Sequence, residues 1–390
     1  MHLYFQYHNQ YIHRFANTEM LEMFAFQLVK NLAIGLIGIF VPIFLYQQGI
    51  SITIIVLLFA ARGLIHMFTA LFIARPLIFH IGFKHSFLAA IIISAFSYLA
   101  LSQNMSTSWL TIWLLCEAIS HGIYSTDFNS YMSLCADKNK TGREIAFLSI
   151  LSHTINIVAP FVGAILIVSL GFPIMFKVAC FLLIFSTVPL FFSKETSITN
   201  QKRLSAMLCV KYFWQKKRKV AISTIGDALD SLSHPFWSIY VYFLLGGITL
   251  FGSLLSFVSF LQVIVMYISG TNYDKHKSTF RLGINGGILA RCVALFAFSA
   301  PIAVASDILI NLAGPLYTAP RAAALYNQLR GEETISMIVG HETIWNLFNA
   351  AALLVLVPFI YLLGWYSFPL FITGVIAGKF IIKSQGIGAY

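Results

Sequence analysis

Charge is what this sequence has least of. Only 10% of its 390 residues are Asp, Glu, Lys or Arg, with 14 acids against 25 bases. A water-soluble domain carries about a quarter charged residues, so the scarcity excludes a soluble globular chain. Cysteine is sparse as well. Cys116, Cys135, Cys180, Cys209 and Cys292 show no CxxC or zinc spacing, and most fall inside apolar runs, where a thiol acts as a small hydrophobe. No disulfide framework and no metal site is expected. Walker loops, GxSxG elbows and Rossmann fingerprints are missing too, so nucleotide-driven and hydrolytic chemistry lack their motifs. The chain reads as a non-enzyme without a cofactor. Its formal charge of +11 does not gather into one surface for nucleic acid.

Apolar runs are what it has instead: 58% of residues are hydrophobic and the mean hydropathy is +0.82. Stretches near the roughly 20 residues needed to cross a bilayer recur at 22–45, 51–74, 86–101, 109–134, 145–168 and 172–192. They return at 220–245, 249–269, 282–300, 305–327, 335–362 and 366–384. Loops such as 46–51, 102–108, 169–173 and 246–248 hold no Lys or Arg. The alternating loops hold Arg75, Lys84, Lys138, Lys140, Arg143, Lys275, Lys277, Arg281 and Arg330, together with Lys216–Lys219. The positive-inside rule makes the basic side, and with it both termini, cytoplasmic. Short outer loops place the chain, as a monomer, in a bacterial inner membrane. The polar stretch at mid-chain predicts an N-terminal bundle over 1–192, a basic linker over 193–219 and a C-terminal bundle over 220–390. Ser152-His153-Thr154-Ile155-Asn156 is echoed about 190 residues on by His341-Glu342-Thr343-Ile344-Trp345-Asn346, a weak internal symmetry typical of carriers built from repeats.

Two loop sequences carry a family likeness. Gly270-Thr271-Asn272-Tyr273-Asp274-Lys275-His276-Lys277 follows the eighth span; Arg75-Pro76-Leu77-Ile78-Phe79-His80-Ile81-Gly82-Phe83-Lys84 follows the second. They resemble the signature loops of the major facilitator superfamily, Gly, three residues, Asp-Arg/Lys, then Gly and bases. Phe79 stands where the first copy would have its Asp. Ala159-Pro160-Phe161-Val162-Gly163 resembles the family's Pro-Gly pattern in the fifth helix. The resemblance implies an all-α polytopic membrane protein of about twelve transmembrane helices in two six-helix bundles. It also implies a central cavity lined mainly by helices 1, 4, 7 and 10, and alternating access. Asp274 and Lys275 would then belong to the gating interaction.

Ionisable groups inside the bilayer cost roughly 2.5–3.5 kcal/mol each on the insertion scale, so those present need a wet cavity or a partner. Helix 4 has Glu117 and His121 one turn apart, then Asp127; helix 7 has Asp227, Asp230 and His234 on one face. Pro235 predicts a bend beside His234. Carboxylates and imidazoles titrate near neutral pH once neighbours shift them. These six residues are therefore candidates for proton coupling, solute binding or both. A second set, Arg62 and His66 in helix 2, Arg291 in helix 9 and His341 and Glu342 in helix 11, predicts interhelical ion pairs, Arg62 with Glu342 foremost. Lys30 and Asn31 in helix 1, with Arg321 in helix 10, put cations on the remaining cavity helices, and both cations lie close enough to the basic side to snorkel instead. The pattern predicts a secondary transporter of a small solute coupled to protons. The alternatives are a carrier of a divalent metal or a siderophore-like chelate, which acid–His spacing allows, and a non-transporting receptor or assembly factor of the same fold.

Overall fold

The computed structural model describes residues 18–103, 106–136, 141–192, 195, 201–270 and 278–386. Among them there is no strand. The first half comprises α1 (Thr18–Ile37, carried through a 3-10 turn Gly38–Phe40 into Val41–Gln47), α2 (Ile52–Thr69), α3 (Arg75–Leu101), α4 (Thr107–Cys135), α5 (Thr141–Leu170) and α6 (Phe172–Ser186). A linker helix, Ala206–Lys216, follows. The second half comprises α7 (Arg218–Asp230, resuming as His234–Leu245), α8 (Ile248–Gly270), α9 (Ser278–Ala294), α10 (Ala300–Leu329), α11 (Thr334–Leu363) and α12 (Phe368–Gln385).

Packing repeats with an offset of six helices. The pairs α1–α5, α1–α6, α2–α4, α3–α4 and α3–α6 recur as α7–α11, α7–α12, α8–α10, α9–α10 and α9–α12. The halves join through α2 against α11 and α5 against α8, themselves counterparts. These are two six-helix bundles. Phe181, Val355 and Leu289 stand on the outside, each more than half exposed, as a lipid-facing surface requires and a water-facing one would not. Between α7 and α12 the backbones nearly touch: a Cβ on Gly226 would lie 2.8 Å from the Gly378 carbonyl oxygen. Small residues drive such contacts in a bilayer, where burial of apolar surface between helices gains nothing.

Two local features depart from the hydropathy reading and a third agrees with it. The third span starts earlier than expected: α2 passes through a π turn, Ala70–Ala74, into Arg75–Ile81, and the chain breaks at Gly82 (φ 80°) before the span proper. A left-handed φ favours glycine because a Cβ would clash. Glu195 then accepts hydrogen bonds from the Phe83 (2.9 Å) and Lys84 (3.2 Å) amides, capping the exposed start of the resumed helix. The ninth span ends at Ala294 rather than near 300, because Pro301, which fits the first turn of a helix, begins α10. The bend expected at Pro235 appears as a 3-10 turn, Ser231–Ser233, since the proline offers no N–H to the Ser231 carbonyl.

The linker is not simply polar. Its helix buries Cys209 and Phe213 against α11 while Met207 and Lys216 point outward. Burial among apolar groups raises the Cys209 thiol above its ordinary range. Upstream, Gln201 donates to the Gly331 carbonyl (2.9 Å) and the Lys202 amide to that of Glu332 (2.7 Å), tying the linker to the α10–α11 turn. Arg203 lies 4.6 Å from the Phe79 ring and donates to the Phe79 carbonyl at 3.3 Å. An Arg–aromatic contact thus occupies the place where the signature loop lacks its Asp. Asp274 and Lys275, the other signature pair, lie outside the described residues.

Candidate functional site

Between the bundles lie three adjoining hollows. The first, about 470 Å³, is walled by α1, α2, α3, α4, α7 and α11; the second, about 510 Å³, by α1, α5, α7, α8, α9, α10 and α12. Ile34, Ile39 and Ser238 line both, so these are lobes on either side of α1 and α7. A third, about 210 Å³, extends from the second through Asp230, Tyr317 and Thr318 toward Ser223 and Arg321. Volumes of this order hold small ligands.

The first lobe is aromatic with one charged pole. Phe59, Tyr98, Trp113 and Phe236 form its apolar walls. Arg62 Nη2 sits 3.1 Å from Glu117 Oε1, and both side chains remain about a quarter exposed, 25% and 22%. The Lys30 ammonium is not drawn to the surface. It is buried with Nζ 3.9 Å from the centre of the Tyr124 ring, a cation–π contact. His121 also lines this lobe.

The second lobe is polar. Asp230 Oδ1 lies 3.0 Å from Lys379 Nζ, while Asp230 Oδ2 accepts from the Tyr317 hydroxyl at 2.8 Å. The Trp237 indole donates to Asp307 Oδ1 at 2.6 Å, and Gln262 donates to Asn311 at 3.0 Å. Asn156 and Asn311 each stand four residues before an intrahelical proline, Pro160 and Pro315. Proline removes the donor that their backbone carbonyls would meet, so both add acceptors to this wall. Arg291, also on it, is only 4% exposed.

Several expected partners are exchanged. Arg62 does not meet Glu342. It reaches Glu117, because His66, one turn along α2, stands at the level of Glu342, with Nε2 3.3 Å from Glu342 Oε2. Glu342 also accepts from Ser125 (3.0 Å) and Asn129 (2.7 Å), and Tyr326 donates to Asn129 at 2.8 Å. This buried network joins α2, α4, α10 and α11 across the halves. Glu117 and His121 do not pair with each other: the His121 ring packs edge-on against His66, centroids 5.1 Å apart. Residues one turn apart both lean toward the helix N-terminus, so their partners come from facing helices. Arg321 does not snorkel but pairs with Asp227 and donates to the Ser223 carbonyl at 2.9 Å. Asp127 is fully buried beside Ser86, away from the lobes. Arg291 joins no ion pair among the described residues. The side chain of His234 lies outside them. No three His, Cys, Asp or Glu side chains among the described residues converge as a metal site.

Sequence reasoning missed Lys379 and Asp307. Lys379 carries the same signal as Arg62, a lone cation in an apolar run; Asp307 stands at the very start of the span 305–327, where a charge is not out of place. The halves meet on both faces. On the basic side Arg330 Nε donates to the Ser133 carbonyl at 2.6 Å; on the other Gln47 donates to the Tyr242 hydroxyl at 3.0 Å.

No curated protein matches the chain by sequence. Solved structures do match by fold. A POT family transporter in complex with a thioalcohol-conjugated peptide shares 13% identity at a TM-score of 0.71, covering 94% of this chain and 95% of that one. Another, in complex with 5-aminolevulinic acid, shares 12% at 0.68 over 94% and 95%. The human organic anion transporter MFSD10 (TETRAN) shares 13% at 0.63 over 94% and 99%. At such identities the likeness concerns the fold alone. The family model of the Major Facilitator Superfamily matches residues 23–378. This multi-pass membrane chain, with its two offset bundles around a charged cavity, belongs to the Major Facilitator Superfamily of transporters.

Proposed function

We propose that the protein is a secondary active transporter that moves a small solute by alternating access, coupled to protons. One observation carries this reading: a charged acid–cation pair in each half, Arg62–Glu117 and Asp230–Lys379, facing one interbundle cavity. Protonating either carboxylate releases its cation, and a solute that engages the freed cation favours uptake of the proton in turn. The two events are thereby linked. His66, His121 and the Glu342 network lie between the poles and the basic side, where a proton would leave. Neighbours crystallised with a peptide conjugate and with 5-aminolevulinic acid support a small organic solute.

The same reading divides the chain into bundles 1–192 and 220–390 hinged by the linker 193–219. It puts the basic side and both termini in the cytoplasm of a bacterium, with the chain acting as a monomer. Two measurements test it. Spin labels at Gly331 and Ile81, and at Gln48 and Gly247, are expected to report two distances each, exchanging in opposite senses; one fixed distance on both sides removes alternating access. In proteoliposomes, uptake from a panel of labelled amino acids, dipeptides and carboxylates is expected to follow an imposed pH gradient. Uptake indifferent to that gradient, and unchanged in Glu117→Gln and Asp230→Asn, removes the coupling.

A further inference from the structure

Arg291 differs from the paired cations in the membrane core, and from Lys30, which rests on the Tyr124 ring. Arg62 has Glu117, Lys379 has Asp230 and Arg321 has Asp227. Arg291 is nearly as inaccessible as any of them, yet its Nε and Nη1 are buried without a hydrogen-bond partner among the described residues. That leaves donors free on both edges of its planar fork. The carboxylates nearest in the lobe, Asp230 and Asp307, attract Arg291 electrostatically but give it no hydrogen bond; Asp230 is held by Lys379 and Tyr317, Asp307 by Trp237. A desolvated guanidinium without acceptors is costly, and a helix of a bilayer protein keeps one only where something else completes it. The fork matches a carboxylate or a phosphate in two-pronged geometry, and of the two the singly charged carboxylate is the less repelled by Asp230 and Asp307 on the same wall. Around it stand the neutral donors and acceptors Asn156, Gln262 and Asn311, fit to hydrogen-bond an uncharged polar body.

We infer that Arg291 is the carboxylate-binding residue of the second lobe, and that the solute is a small organic acid whose polar body lies against α5, α8 and α10. The inference rests on reading the cavity as a solute site. It separates the tasks of the cations. Lys379 neutralises Asp230, whereas Arg291 is held in reserve for the cargo.

The test compares acids with their neutral twins. The full-length protein in nanodiscs is titrated calorimetrically with alanyl-alanine, N-acetylglutamine and succinate, and with the corresponding primary amides. At least one acid is expected to bind about 10- to 100-fold more tightly than its amide, the worth of a charge-assisted hydrogen-bonded pair. Arg291→Gln is expected to erase that preference, and Arg291→Lys, a point charge without the fork, to keep part of it. In the unaltered protein the same acid, and not its amide, should slow phenylglyoxal modification of Arg291, read by mass spectrometry. That readout stands even where Arg291→Gln fails to fold. Equal binding of acids and amides, no binding by any acid, or a preference that survives Arg291→Gln overturns the inference. Acid-selective binding in a chain whose spin-label distances stay fixed keeps the subsite and removes the transporter. Uptake of amides as fast as acids does the reverse.

Discussion

The two charged poles are built from the same chemistry and differ in exposure. Arg62–Glu117, between α2 and α4, keeps 25% and 22% of its side-chain surface and opens onto an aromatic lobe. Lys379–Asp230, between α12 and α7, keeps 3% and 15%, and Tyr317 bonds to both partners at 2.6 and 2.8 Å. A partly solvated pair gains less from its contact and loses less on exchange. A desolvated pair resists separation, because either partner left alone is a bare charge in a low dielectric. The N-terminal pole is thus the one suited to trading partners during a cycle. The C-terminal pole is suited to setting the charge of the lobe.

That contrast can be broken by substitution. The largest effect is expected at the C-terminal pole. Asp230→Asn strands Lys379, and should cost about 3–5 kcal/mol in thermal unfolding, with much of it recovered by Asp230→Asn/Lys379→Met. Single and double variants that melt alike would equate the two poles. Next comes Glu342→Gln in the network between halves, where lost charge-assisted bonds from Asn129 and Ser125 should cost about 2 kcal/mol. There the spin-label distances on the basic side should broaden.

Glu117→Gln should lower stability by about 1 kcal/mol or less, yet abolish the response of uptake to a pH gradient. A melting loss as large as that of Asp230→Asn would show that exposure does not separate the poles. The smallest effect belongs to the exposed contact of Lys202 with Glu332. Lys202 holds the Glu332 carboxyl below its usual range, and Glu332 holds the Lys202 ammonium above its own. Any stabilisation is present at neutral pH. It disappears as pH falls through the lowered Glu332 value, or rises through the raised Lys202 value. Lys202→Ala should leave the melting curve at neutral pH within error.

Much of the fold was legible in the residues. Twelve apolar stretches and a one-sided distribution of Lys and Arg specify spans, and period-3.6 spacing puts Asp227 and Asp230, or Glu117 and His121, on one face. The candidate site was legible as a set of groups and not as a set of pairs. Glu342 was singled out, but its partner is His66 rather than Arg62. Arg321 and Lys30 could be placed on cavity helices but not given partners: one is held by Asp227 and the other by the Tyr124 ring. Helical periodicity assigns a face, while the neighbour it meets depends on rotation and depth, which packing decides.

The sequence by itself determined that this chain lives in a bilayer, because only a membrane solvates so many Phe, Ile and Leu side chains, and that its buried charges need company, because lipid offers none. Only the tertiary structure decided who keeps company with whom. Close backbone contacts such as Gly226 with Gly378 set the helix rotations, and a turn of α2 one way or the other chooses between Glu117 and Glu342. The same packing sorted the charges into two poles and left Arg291 without an acceptor among the described residues. That vacancy in the pairing, invisible in the order of residues, is what points to the cargo.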